Sequence, residues 1–162
     1  MIIAHAVLAS VAALITAPAA VLIGRYFRSH RWWFKTHLAL QTLTAIFVIT
    51  LFAVGLVAVA SGGHGAQLVG PKKDPHHDLG LAIVVLFLLQ FVLGVVAHNT
   101  HSEGPGPYTL MTPKSPLRHL HGIFGIIMTA LLYAGIKTGM DEWDMVSDMG
   151  TLVPKVSSSP IG

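Results

Sequence analysis

The chain has no cysteine, which excludes disulfides, thiolate metal sites and a cysteine nucleophile. It is also short of charge. Only 10% of its 162 residues are Asp, Glu, Lys or Arg, where a soluble domain carries about a quarter. A chain so poor in charge is built for lipid rather than for a water-exposed surface. The ten lysines and arginines are scattered between apolar blocks, so the net charge of +3 makes no continuous basic patch and nucleic acid is not an expected partner.

Hydrophobic residues make up 53% of the chain. Residues 4–26, 36–60, 76–98 and 119–139 are each apolar for long enough to cross a hydrocarbon layer, which takes roughly 20 helical residues. The connectors RSHRWWFK, SGGHGAQLVGPKKDP and NTHSEGPGPYTLMTPKSP hold the helix breakers and polar groups that belong outside lipid. The first segment ends in a TAPAA-containing run that could suggest signal cleavage. It has no basic start and stays apolar to Gly24, so a retained membrane helix is expected. The expected fold is all-α: an antiparallel, up-down-up-down bundle of four transmembrane helices over residues 1–140. An exposed polar tail, residues 141–162, follows it.

Arg25, Arg28, Arg31, Lys35, Lys114 and Arg118 belong to the first and third connectors and their flanks, against only Lys72 and Lys73 in the second. The positive-inside bias then makes the first and third connectors cytoplasmic and leaves both termini on the other side. Trp32, Trp33 and Trp143 fall at the interfaces.

Histidine is the unusual abundance, ten residues, as many as lysine and arginine together. Each span carries one near its N-terminal end: His5, His37, His76 or its neighbour His77, and His119 or His121. Because successive helices alternate in direction, His5 and His76 share the outer side, and His37 and His121 the cytoplasmic side. Ionisable residues in spans usually face the bundle interior. Small residues follow each histidine at helical spacing, as with Ala9, Ala12 and Ala20 after His5, Gly80 and Gly94 after His76, and Gly125, Gly135 and Gly139 after His121. His119 and His121 lie about 200° apart around a helix, so only one points inward, and Gly125 favours His121. His77 remains a rival to His76. His98, about 33 Å along the helix from His76, could reach the cytoplasmic pair or a substrate there.

A tetrahedral zinc ion needs a third and fourth ligand, and the span interiors carry no acid to supply them. A haem iron takes two axial ligands and brings an apolar macrocycle suited to a bundle interior. Two histidine pairs therefore predict two non-covalent haems of b type, separated in depth by roughly 20 Å. With both axial positions filled by protein, electron transfer is the chemistry left. A membrane-anchor subunit for a separate redox protein would use the same haems. A haem-free transporter or structural protein is the other alternative, although no internal repeat or broken helix supports a transporter.

The stretches HAVLASVAALITAPAAVLIGRYFR, WWFKTHLALQ, PHHDLGLAIVVLFLLQFVLG and HLHGIFG, in this order, resemble the cytochrome b561 family, especially the membrane module often joined to DOMON domains. The resemblance covers nearly all of residues 4–139. It implies that His5 and His76 ligate one haem iron and His37 and His121 the other. It also implies oxidoreductase activity, with electrons passing from cytoplasmic ascorbate to an outer acceptor such as a ferric chelate or monodehydroascorbate. Lys35 resembles a basic residue near the ascorbate site, and Arg31 belongs to the same basic rim. The family usually carries five or six helices, whereas only the four-helix core is expected here. A homodimer, or pairing with a separate redox protein, is left open.

Overall fold

The computed structural model describes residues 1–61, 75–99 and 116–151, with side chains described as far as residue 144. Lys72, Lys73 and Lys114 lie outside the described residues. The architecture is helical, with no strand among the described residues. Helix α1 runs over Ile2–Tyr26, α2 over Trp33–Ser61, α3 over Pro75–Asn99 and α4 over Pro116–Thr151. All four are long and apolar enough to cross a membrane, so the chain is an integral, multi-pass membrane protein.

The expected spans agree closely with α1, α2 and α3. Helix α4 starts at Pro116, where proline suits a first helical turn, and continues past Gly139 to Thr151. No proline interrupts it, and the Lys137 ammonium pairs with the Asp141 carboxylate one turn on.

Packing goes round a square. Helix α1 touches α2 and α4, and α3 touches α2 and α4, while the diagonal pairs α1/α3 and α2/α4 make no backbone approach among the described residues. The centre is filled by Ala12, Ala13 and Ala17 of α1, Val48 of α2, Ile83 and Phe87 of α3, and Met128 and Leu132 of α4. Large aliphatic residues such as Ile2, Leu14, Ile15, Val85, Leu89 and Ile126 point outward. Lipid is as apolar as they are, so nothing drives them inward, and on α1 the alanines take the interface.

A buried hydroxyl bond near the bundle centre ties α1 to α2. The fully buried Thr44 hydroxyl donates to Thr16 Oγ1 at 2.7 Å, and Thr16 in turn donates to the Ala12 carbonyl. That carbonyl belongs to a single π-helical turn, Ala12–Thr16, in which the Ala17 N–H bonds back five residues to Ala12. Pro18 follows at once. Lacking an N–H, it cannot satisfy the carbonyl one α-turn before it, and the widened turn lies where that conflict arises.

Candidate functional site: paired imidazoles at both ends of the bundle

The antiparallel order brings the N-terminal ends of α1 and α3 to one end and those of α2 and α4 to the other. The rings of His5 and His76 face each other with centroids 5.9 Å apart and planes at 76°. At the opposite end His37 and His121 stand 6.3 Å apart at 82°. Each pair comes from diagonal helices, so each spans the bundle interior.

Each ring is seated on the neighbouring helix in sequence. The His37 Nδ1–H donates to the Ala20 carbonyl at 2.7 Å, and a Cβ on Gly24 would lie 2.9 Å from that nitrogen. His5 repeats this on α2, donating to the Leu51 carbonyl at 2.7 Å beside Gly55, whose Cβ would come within 3.1 Å. A carbonyl only accepts, so in the neutral form both rings carry their proton on Nδ1 and Nε2 keeps its lone pair. His76 donates through Nδ1 to Thr138 Oγ1 at 3.1 Å, and that hydroxyl donates to the Gly135 carbonyl at 3.2 Å. A Cβ on Gly139 would sit 3.0 Å from its ring. His121 rests on Gly94, whose Cβ would come within 2.7 Å of Cε1. Its buried Nδ1 has no hydrogen-bond partner among the described residues. The Gln90 Nε2 meanwhile donates to the His121 carbonyl at 2.8 Å.

The four seats share one register. Gly24 and Gly55 lie one helical turn after the carbonyls that accept from the rings, Ala20 and Leu51; Gly139 lies one turn after Gly135, which accepts from Thr138, and Gly94 one turn after Gln90. In a helix the N–H of residue i+4 already takes one lone pair of carbonyl i. Without a Cβ at i+4, an imidazole can approach the second.

The histidine of each helix and the glycine it offers to the other pair also lie on one face. His37 to Gly55, His76 to Gly94 and His121 to Gly139 are the same interval. It amounts to five turns at about 3.6 residues per turn and about 27 Å of rise. In α1 the interval from His5 to Gly24 is longer by a single residue, and this is the helix with the π-turn. A π-turn absorbs one extra residue, so His5 and Gly24 return to a common face.

The rival histidines go elsewhere. His119 is exposed while His121 faces His37. The His77 Nε2 stands 3.9 Å from Glu142 Oε1. His98 stacks on Phe34, centroids 3.4 Å apart and planes 8° from parallel, and joins neither pair. Gly80 gave the sequence argument for His76, yet a Cβ there would meet nothing within 4 Å. The seat of His76 is on α4. Gly24, Gly55 and Thr138 escaped sequence reasoning, although the recurring interval between histidine and glycine was present in the chain.

Arg28, Arg31 and Lys35 lie at the end that holds His37 and His121. Arg28 folds back over α1, donating to the Gly24 carbonyl, with its guanidinium carbon 5.8 Å from the centre of the Trp33 ring. Burial, then the charges of Arg118 and Arg25, pull its pKa below the ordinary value. Arg31 and Lys35 are exposed.

A membrane bundle with facing imidazoles at each end, drawn from diagonal helices, belongs to the class of integral membrane cytochromes. The family model described as eukaryotic cytochrome b561 matches residues 4–147, and the chain belongs to this family. Membership makes it a membrane oxidoreductase of the electron-transfer type that binds haem b. No curated protein and no solved structure matches the chain.

Proposed function

We propose that the chain carries single electrons across the membrane from a cytoplasmic reductant of the ascorbate type to an outer acceptor such as a ferric chelate or monodehydroascorbate. In this reading His5 and His76 hold one haem b and His37 and His121 a second. The observation that carries it is the separation of the facing rings. An imidazole nitrogen sits about 2 Å from a first-row metal and its ring centre roughly 1 Å further back, so two axial imidazoles on one ion have centres about 6 Å apart. The two pairs stand at 5.9 and 6.3 Å. The donor set agrees, since each end offers two imidazoles and no third ionisable ligand converges on them among the described residues.

Haem b, once bound, supplies an iron that accepts and releases one electron at a time. The residues supply the rest. His5 and His37 are held with Nδ1 protonated and Nε2 available, and the apolar core between the ends excludes water. The cations Arg25, Arg28 and Arg118, with Arg31 and Lys35 nearby, draw an anionic reductant to the His37/His121 end. By the positive-inside bias that end is cytoplasmic and the N terminus is outside. One electron and one proton leave ascorbate, giving monodehydroascorbate, and one electron converts a ferric acceptor to ferrous.

The test is a haem count and a reduced-minus-oxidised spectrum on protein purified in detergent. Two haems per chain, reducible by ascorbate, are expected. His37→Ala or His121→Ala should remove one haem, and His5→Ala or His76→Ala the other. Fewer than two haems in the wild type, or two retained in His121→Ala, overturns the ligand assignment. Two haems that ascorbate does not reduce overturn the donor.

A further inference from the structure

The four glycines that touch the paired imidazoles are too close to them to be ordinary packing residues. A Cβ would come within 2.9 Å of His37 Nδ1 at Gly24, 3.1 Å of His5 Nδ1 at Gly55, 2.7 Å of His121 Cε1 at Gly94 and 3.0 Å of His76 Cε1 at Gly139. Below 3 Å, as at Gly24 and Gly94, the ring itself would have to shift, and at Gly55 and Gly139 it would have to give by a few tenths of an ångström. Gly80 and Gly122 lie on the same helices with nothing within 4 Å of the added atom. Gly125 and Gly135 are crowded as well, by Gln90 Nε2 and Ile83 Cδ1 at 3.1 Å each, so what sets the four positions apart is that the neighbour is one of the paired imidazoles.

We propose that Gly24, Gly55, Gly94 and Gly139, together with Thr138, are positioning residues that set the tautomer, plane and donor strength of the four imidazoles. The inference rests on the reading of those imidazoles as haem ligands. Gly24 and Gly55 open the second lone pair of the carbonyl one turn before them to the ring, and at all four positions the ring lies in the space left by the missing Cβ. At three seats the acceptor chain ends on that carbonyl: Ala20 for His37, Leu51 for His5 and, through the Thr138 hydroxyl, Gly135 for His76. Thr138 is a relay. It accepts the His76 Nδ1–H bond and donates its own hydroxyl to Gly135, which makes it the one side-chain acceptor in the set. An Nδ1–H held by an acceptor makes the other ring nitrogen a stronger donor to a metal and favours the more oxidised ion. His121 lacks such a bond at good geometry, so its seat depends most on Gly94, whose Cβ would also lie 3.3 Å from Nε2.

The test combines haem counts with redox titration of the full chain in detergent. Gly94→Ala and Gly24→Ala should each reduce the count from two haems to one, and Gly94→Ala combined with His121→Ala should remove no more than His121→Ala alone. Gly80→Ala and Gly122→Ala should keep both haems. Thr138→Val, close in shape to threonine, should shift the midpoint potential of the His5/His76 haem upward and leave the other unchanged, and Thr138→Ser should restore the wild-type value. Wild-type protein with two haems and histidine variants with one, beside glycine variants that keep two with unshifted spectra, overturns this inference alone. Equal losses in the Gly80 and Gly122 variants do the same. Should the glycine variants fail to fold, Thr138→Val decides: an unshifted potential, or a shift that serine does not reverse, refutes the relay. A wild type without paired haems overturns the ligand reading and this inference with it.

Discussion

Helix α1 offers a sharp test of register. Its histidine and glycine stand one residue further apart than those of the other three helices, and the π-turn at Ala12–Thr16 accounts for the difference. Deleting Leu14, a lipid-facing residue inside that turn, restores the common interval and leaves a plain α-helix in which His5 and Gly24 still share a face. Pro18 would then interrupt a regular ladder at a cost of about 3 kcal/mol, so Pro18→Ala belongs in the same variant. Deleting Val85, equally lipid-facing, shortens the interval between His76 and Gly94 by one residue with no π-turn to release. At about 100° per residue and a side-chain radius of about 5–6 Å, the His76 ring swings roughly 8 Å around the axis relative to Gly94. No rotamer of an imidazole covers that distance. Haem stoichiometry and the reduced-minus-oxidised spectrum provide the assay. The Leu14 deletion with Pro18→Ala should keep two haems, while the Val85 deletion should keep at most one. Equal loss in both, or full retention after the Val85 deletion, refutes the argument that the π-turn sets the face.

Other outcomes follow from single contacts. Thr44→Val removes the buried hydrogen bond from α2 to Thr16 and should lower stability by about 1 kcal/mol, the scale of interhelical hydrogen bonds in membranes, as read from thermal unfolding in detergent. His119→Ala and His98→Ala should each retain both haems, because one ring is exposed and the other stacks on Phe34; a lost haem in the spectrum of either would contradict the pairing. Asp141→Asn breaks an exposed ion pair and should change the unfolding midpoint by no more than about 0.5 kcal/mol allows. The initial rate of reduction by ascorbate should fall as salt rises and fall further in Arg31→Ala and Lys35→Ala; a rate independent of salt would remove the basic end as the entrance for an anion.

The sequence by itself determined the class of protein. Scarce charge, four apolar runs of spanning length and connectors rich in breakers leave a membrane bundle as the only economical fold, because each run satisfies its own backbone only as a helix. The alternation of helix direction was enough to sort His5 with His76 and His37 with His121, since a histidine at each N-terminal end must alternate sides. It did not reveal where each ring rests. That depends on which helices are neighbours and which are diagonal, and four apolar helices with small residues on several faces can be arranged in more than one cyclic order. Only the tertiary structure decided that diagonal helices supply each pair while sequence neighbours supply the seats. It also shows where the remaining histidines lie, with His98 stacked on Phe34 and His77 near Glu142 across helix boundaries. The recurring interval from histidine to glycine was legible from the start, but its meaning came from contact. A glycine five turns from a histidine becomes informative once another helix lays an imidazole against it, at a distance that leaves no room for a Cβ.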